Sequence, residues 1–201
     1  GWSDGIIKPD NETLKILDYQ VNTLSKIIDD LSTLSLAESG MLNLNISEFD
    51  LSHKISEIIN NFKLRSKSKN IKIFNNIDSN ITINYDSQRF TQIVTNILNN
   101  SILAIDDDEG SISFNTSIRK NVLILEIKDN GMGIPKEELP YIFDRFYRAD
   151  KSRNRQSGGS GLGLSIVKYL IESHNGNIEI NSELSKGTEV LITIKNFNTN
   201  L

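Results

Sequence analysis

No cysteine occurs in the 201 residues, which excludes disulfides and thiolate metal sites and fits a reducing compartment. No apolar run is long enough to span a bilayer. Positive charge is not in excess: 22 Lys and Arg face 26 Asp and Glu, a formal net charge of −4, which argues against general nucleic-acid binding. Histidine is scarce, with His53 and His174 the only two. There is no initiator Met, because the chain opens on "GWSDGIIKP", and it reads as a piece of something longer. No internal repeat stands out. What is present is ordinary for a globular protein, 37% hydrophobic and 24% charged residues, enough for one well-buried domain and a smaller element.

Residues 1 to 9 read as a turn ending at Pro9, after which Asp10, Asn11 and Glu12 offer an N-cap and an acidic first turn. Leu14, Leu17, Val21, Leu24, Ile28 and Leu31 then step by threes and fours, the seam of a long amphipathic helix ending near Gly40. A seam this narrow suits a helix bundle or dimer better than a helix lying on the next domain. "NLNISEFDL" reads as a strand and cap, followed by a helix over about 51 to 66. Short strands at "IKIFNN" and "ITINYD" precede a helix capped by Asp86. "GSISFNTSIRK" and "NVLILEIKDN" read as paired strands. A short helix is expected from Pro135 to about Phe146, then a helix after Gly163 and two final strands. The alternation of strands and helices implies an α/β fold, a two-layer sandwich with a mixed sheet.

Against that frame four stretches carry chemistry. "GGSGLGLSIVKYL", residues 158 to 170, places glycines before a helix N-terminus, where unpaired N–H groups and the helix dipole suit phosphate. It is neither a Walker loop, since no Lys-Ser/Thr follows Gly163, nor a Rossmann turn, since polar "RADKSRNRQS" precedes it. In "TQIVTNILNNSILAI", Asn96 and Asn100 lie one helical turn apart, either at a solvent edge or as an oxygen ligand for Mg²⁺ beside a phosphate contact. "DNGMGI" puts Asp129 at a strand end, with Gly131 and Gly133 allowing close approach. "IFDRFYRAD" interleaves Phe143, Phe146 and Tyr147 with Arg145 and Arg148, and leads into a basic stretch with Lys151, Arg153 and Arg155, a solvated face or a positive lid over triphosphate.

Taken in order, Asn-x-x-x-Asn, Asp-x-Gly-x-Gly, Phe-x-x-Phe-Tyr-Arg and Gly-x-Gly-Leu resemble the nucleotide-binding boxes of sensor histidine kinases, on the Bergerat-type ATP-binding fold shared with DNA gyrase, mismatch-repair ATPases and a heat-shock chaperone. The resemblance implies a catalytic ATP-binding domain over 41–201, preceded at 1–40 by the end of a dimerisation and phosphotransfer hairpin. It implies Asn100 as the Mg²⁺ ligand with Asn96 beside it at the phosphates. Asp129 would accept from the adenine amino group with Gly131 and Gly133 under the ring, and Thr188 would support that aspartate. Tyr147 and Arg148 would face the phosphates, and Gly161, Leu162 and Gly163 would close on them. Ser101 and Leu103 stand where many relatives have Ala and Lys, so one phosphate contact is missing.

The implied partners are ATP, a response-regulator receiver domain, and a second copy of the parent through helices that include Leu14–Leu31. The implied setting is the cytoplasmic side of a membrane-anchored bacterial protein. Neither His53 nor His174 sits in the context of a phospho-acceptor, so that histidine and its neighbouring base are expected upstream and the chain alone should not label itself. Two other readings remain: a conformational ATPase of the same fold, disfavoured because Asn96 cannot act as a base at neutral pH, and a degenerate ATP-binding scaffold, for which Leu103 is the hint.

Overall fold

The structure, a computed structural model, describes residues 10–68, 70–105, 109–148 and 160–199. The turn read at 1–9 and the basic stretch with Lys151, Arg153 and Arg155 lie outside the described residues. The chain runs α1 (Asn11–Glu38), β1 (Ile46–Asp50), α2 (Leu51–Ser68), β2 (Ile71–Asn75), β3 (Ile81–Asp86), α3 (Ser87–Ala104), β4 (Gly110–Arg119), β5 (Val122–Asp129), α4 (Gly163–Ser173), β6 (Asn177–Glu183), β7 (Gly187–Ile194) and β8 (Phe197–Thr199).

Five strands form a mixed sheet in the order β2-β4-β5-β7-β6, with β2 parallel to β4 and the other pairs antiparallel. β1, β3 and β8 form a small antiparallel sheet. Period-two alternation sets the inner face: Ile112 and Phe114 on β4, Leu123, Leu125 and Ile127 on β5, and Val190, Ile192 and Ile194 on β7 are buried. Against that face α3 lays Phe90, Ile93, Val94, Ile97 and Leu98, while α4 adds Ile166, Val167, Leu170 and Ile171. The result is the expected α/β two-layer arrangement, preceded by a long helix.

The N-cap at Asp86 forms as its residue type requires: Oδ1 accepts from the N–H groups of Gln88 and Arg89, both at 3.0 Å, and Oδ2 from Asn45 N–H at 2.9 Å. Burial works to raise the Asp86 carboxyl, and the three N–H groups outweigh it, holding the group below its ordinary 3.8. His174, at the end of α4, lies beside this cap. Its Nε2 accepts from Asp86 N–H at 3.2 Å, its Nδ1–H donates to the Leu170 carbonyl at 2.7 Å, and its ring stacks on Tyr85 with centroids 3.5 Å apart.

Two expectations fail. No helix runs from Pro135 to Phe146: turns surround one 3-10 turn at Leu139–Tyr141, because Pro140 lacks an N–H and its ring would clash with the preceding turn. β8 was not foreseen, since three residues are too few to show alternation. α1 packs its C-terminal half on the domain through buried Asp30, Thr33 and Leu34, whereas Leu14, Leu17, Val21, Leu24, Ile28 and Leu31 are between 41% and 65% exposed. None of the helices among the described residues is long and apolar enough to cross a membrane.

Candidate functional site

Asp129 ends β5, and the alternation that buries Leu123, Leu125 and Ile127 carries its carboxylate to the same inner face, where it is 5% exposed. A buried carboxylate must be hydrogen-bonded, and three donors meet it. Ser101 Oγ donates to Oδ2 at 2.7 Å, and Oδ1 accepts from Gly131 N–H at 3.0 Å and Thr188 N–H at 3.1 Å. Thr188 stands opposite Asp129 in the β5–β7 register. It supports the aspartate through its backbone, while its hydroxyl pairs with Ser182 Oγ at 2.9 Å.

The loop after Asp129 is fastened on both sides. Met132 N–H donates to the Ala104 carbonyl at the end of α3, and the Met132 carbonyl accepts from Ser185 N–H, at 2.9 and 2.7 Å. Ile134 N–H donates to Ser182 Oγ at 2.8 Å. Gly133 has φ +71°, and a side chain there would run into the Glu183 carbonyl, so both backbone shape and crowding require glycine.

A cavity of about 670 Å³ opens between α3, the β5–β7 end of the sheet and the N-terminus of α4. Asp129 and Thr188 line its inner end with Ile97, Met132, Ile142, Ile180 and Val190, an apolar slot with one carboxylate in it. Asn96 and Asn100 line it from α3, Tyr147 and Arg148 from the segment after the 3-10 turn, Gly161 from just before α4 and Gly163 from its first turn. Asn96 is 5% exposed and its Nδ2 has no hydrogen-bond partner, whereas Asn100 is exposed. A buried amide donor left unpaired costs free energy unless a ligand meets it.

Of the residues read from the sequence, the structure gathers Asn96, Asn100, Asp129, Gly133, Tyr147, Arg148, Gly161, Gly163 and Thr188 around one cavity. Gly131 and Leu162 do not line it. A side chain at Gly131 would strike the Ala104 carbonyl at 2.8 Å, so this glycine lets the loop close on α3. Leu162 is fully buried in the core and its N–H donates to Ser160 Oγ at 3.3 Å. Gly161 also proves to have a packing reason: at φ +71°, a Cβ would lie 2.7 Å from the Phe146 backbone. Its carbonyl accepts from Phe146 N–H at 3.0 Å, joining the aromatic segment to the start of α4.

Sequence reading missed the role of Ser101. The signal was a hydroxyl in the stripe Ile93, Ile97, Ser101, one turn apart along the buried face of α3. It also missed the wall that α1 adds, for Tyr19, Asn22, Thr23, Lys26 and Asp30 line the same cavity.

A model of the family described as "Histidine kinase-, DNA gyrase B-, and HSP90-like ATPase" matches residues 85–197. The chain is 37% identical over 175 residues to the signal transduction histidine-protein kinase BaeS of Escherichia coli (strain K12), covering 87% of this chain and 37% of that protein. It is 31% identical over 196 residues to the sensor histidine kinase WalK of Bacillus subtilis (strain 168), covering 96% and 31%. The chain thus spans about a third of the length of these curated relatives. Among solved structures, the Acinetobacter baumannii histidine kinase AdeS superposes with a TM-score of 0.78 at 27% identity, over 100% of this chain and 91% of that one. Full-length ShkA in complex with AMPPNP shares the fold at a TM-score of 0.79 and 22% identity, over 96% and 40%.

Proposed function

The chain belongs to the histidine kinase-, DNA gyrase B- and HSP90-like ATPase family, and on that premise we propose that it is the kinase portion of a two-component sensor histidine kinase. It binds ATP with Mg²⁺ and donates the γ-phosphoryl group to a histidine on a dimerisation helix, for relay to an aspartate of a response-regulator receiver domain. Residues 1–40 are the end of the dimerisation hairpin and 41–201 the catalytic domain. The parent protein is a membrane-anchored dimer with this part in the cytoplasm.

The observation that carries the reading is Asp129, an acceptor-only group fixed by three donors at the bottom of an apolar slot. A flat base with an exocyclic amino group satisfies both the slot and the remaining acceptor capacity. The phosphates then extend toward Asn96, Tyr147, Arg148 and the first turn of α4, whose N–H groups and dipole favour anions. The unpaired Asn96 Nδ2 donates to a phosphate oxygen there.

The residues fit a magnesium ion as well. Asn100 offers an exposed amide oxygen at the cavity, and Mg²⁺ needs only one or two protein oxygens beside phosphate. Bound there, the ion supplies charge neutralisation for phosphoryl transfer. The protein's own part is positioning: Asp129 holds the base, while α3 and α4 hold the phosphates. Asn96 is an amide and cannot take a proton from water, which speaks against a conformational ATPase.

His174 is not the acceptor, because it is buried and both ring nitrogens are engaged. His53 begins α2, away from the cavity lining. The test is incubation with Mg-ATP labelled on the γ-phosphate, alone and with a supplied hairpin carrying an acceptor histidine. Base-stable, acid-labile label should appear on the hairpin only. Stoichiometric label on His53 or His174 of the isolated chain refutes the reading. Tight Mg-ATP binding without transfer to any acceptor favours the scaffold reading, for which Leu103 on the cavity rim is the pointer.

A further inference from the structure

Helix α1 has two faces of opposite character. At 100° per residue, Leu17, Leu24 and Leu31 fall on one side, and Tyr19, Lys26 and Thr33 on the other. The leucine seam is exposed; on the other side Thr33 is buried against the domain, while Tyr19 and Lys26 are exposed and line the cavity.

α1 packs chiefly on α4, and a side chain reaches across from α3 to it. Arg89 Nη1 lies 3.5 Å from Thr33 Oγ1. Toward its N-terminus α1 carries Lys26, and α3 carries Asn96, Asn100 and Leu103. All four line the cavity.

We infer that α1 is a wall of the nucleotide site and that the Lys26 ammonium contacts the phosphates of the bound nucleotide. The inference rests on the nucleotide reading above and extends it to a helix outside the matched family region. Charge supports it. Among the described residues lining the cavity, the cations are Lys26 and Arg148, and they stand on different walls. α3 offers amides and Leu103 at this end, and a polyphosphate needs more than amides. Asp30, one turn from Lys26, is 3% exposed and has one carboxylate oxygen without a hydrogen-bond partner. Burial raises its carboxyl, and the charge of Lys26 works against that rise. Lys26 itself is exposed, and side-chain rotation brings its ammonium to phosphate when nucleotide enters.

The test is calorimetric titration of the whole chain with adenosine, ADP and Mg-ATP, for wild type, Lys26→Gln, Lys26→Arg, and Lys26→Gln combined with Leu103→Lys. Lys26→Gln should weaken Mg-ATP roughly two- to fivefold, as for an exposed ion pair. ADP should weaken less and adenosine not at all. Lys26→Arg should keep the wild-type affinity, and Leu103→Lys should restore part of what Lys26→Gln removes, by placing a cation on the facing wall. Unchanged Mg-ATP affinity in Lys26→Gln, or an equal loss for adenosine, overturns the role of Lys26 while leaving adenine binding intact. Failure of the wild type to bind any of the three compounds overturns the nucleotide reading and this inference with it.

Discussion

Replacing Asp129 by asparagine changes one oxygen to an NH₂ group and should reverse what the slot recognises. The amide oxygen can take the place of Oδ1, where Gly131 and Thr188 donate. The NH₂ group then sits beside Ser101, whose hydroxyl turns from donor to acceptor. Every buried partner stays satisfied, so the fold should survive. What changes is the face toward the cavity, where a charged acceptor becomes a neutral donor. An adenine amino group loses a charge-assisted hydrogen bond of about 1.5–3 kcal/mol. At about 1.4 kcal/mol per tenfold, affinity falls roughly 10- to 150-fold. The loss should be equal for ATP, ADP and adenosine, which share the base. Inosine triphosphate, with a carbonyl in place of the amino group, should lose less or gain. Titration calorimetry on the four ligands, with a thermal melt to confirm folding, measures this. A folded Asp129→Asn that binds adenosine as tightly as wild type refutes the assignment of the base.

Ser101→Ala removes the hydroxyl that donates to Asp129 Oδ2 at 2.7 Å, and should cost about 1.5–3 kcal/mol of stability; an unchanged urea midpoint refutes the role given to that bond. Asn100→Ala, at an exposed position, should leave stability alone and weaken ATP binding in the presence of Mg²⁺ but not in chelator, and equal weakening in both removes Asn100 as the ion's ligand. His174 is held below its ordinary 6.5, first by burial. The unfolded chain therefore binds the proton more readily, so this group's contribution is complete above pH 6.5 and is lost as pH falls through the lower folded value. Urea unfolding from pH 5 to 8 should show that slope, and His174→Asn should flatten it; a slope that persists in His174→Asn assigns it to other groups.

How much of this was legible beforehand depended on whether the cause was local. Asp86 as a cap, the α3 stripe and Asp129 at the end of an apolar strand each follow from spacing within a few residues, and each forms as read. Where the deciding contact joins distant parts of the chain, the sequence was silent. Ser101 looked like a mere departure from relatives, because the carboxylate it bonds is 28 residues away. Gly131 and Gly161 looked like phosphate or ring glycines, and their immediate reasons are the backbones of Ala104 and Phe146. The polar face of α1 was invisible beside its apolar seam, since periodicity reports which face is apolar and not which face a cavity will claim.

The junction of His174 with the Asp86 cap has a mechanical side. It fastens the beginning of α3 to the end of α4. Asn96 lies about 15 Å along one helix from that junction, and Gly163 lies about as far along the other, at 1.5 Å per residue. There the two meet again, with the Asn96 side chain 3.8 Å from where a Gly163 Cβ would be. α3 and α4 also pack on each other between these two contacts, so together they form one continuous wall beside the phosphate end of the cavity. A charge placed on the buried His174 ring would therefore disturb a seam that also carries Asn96 and Gly163.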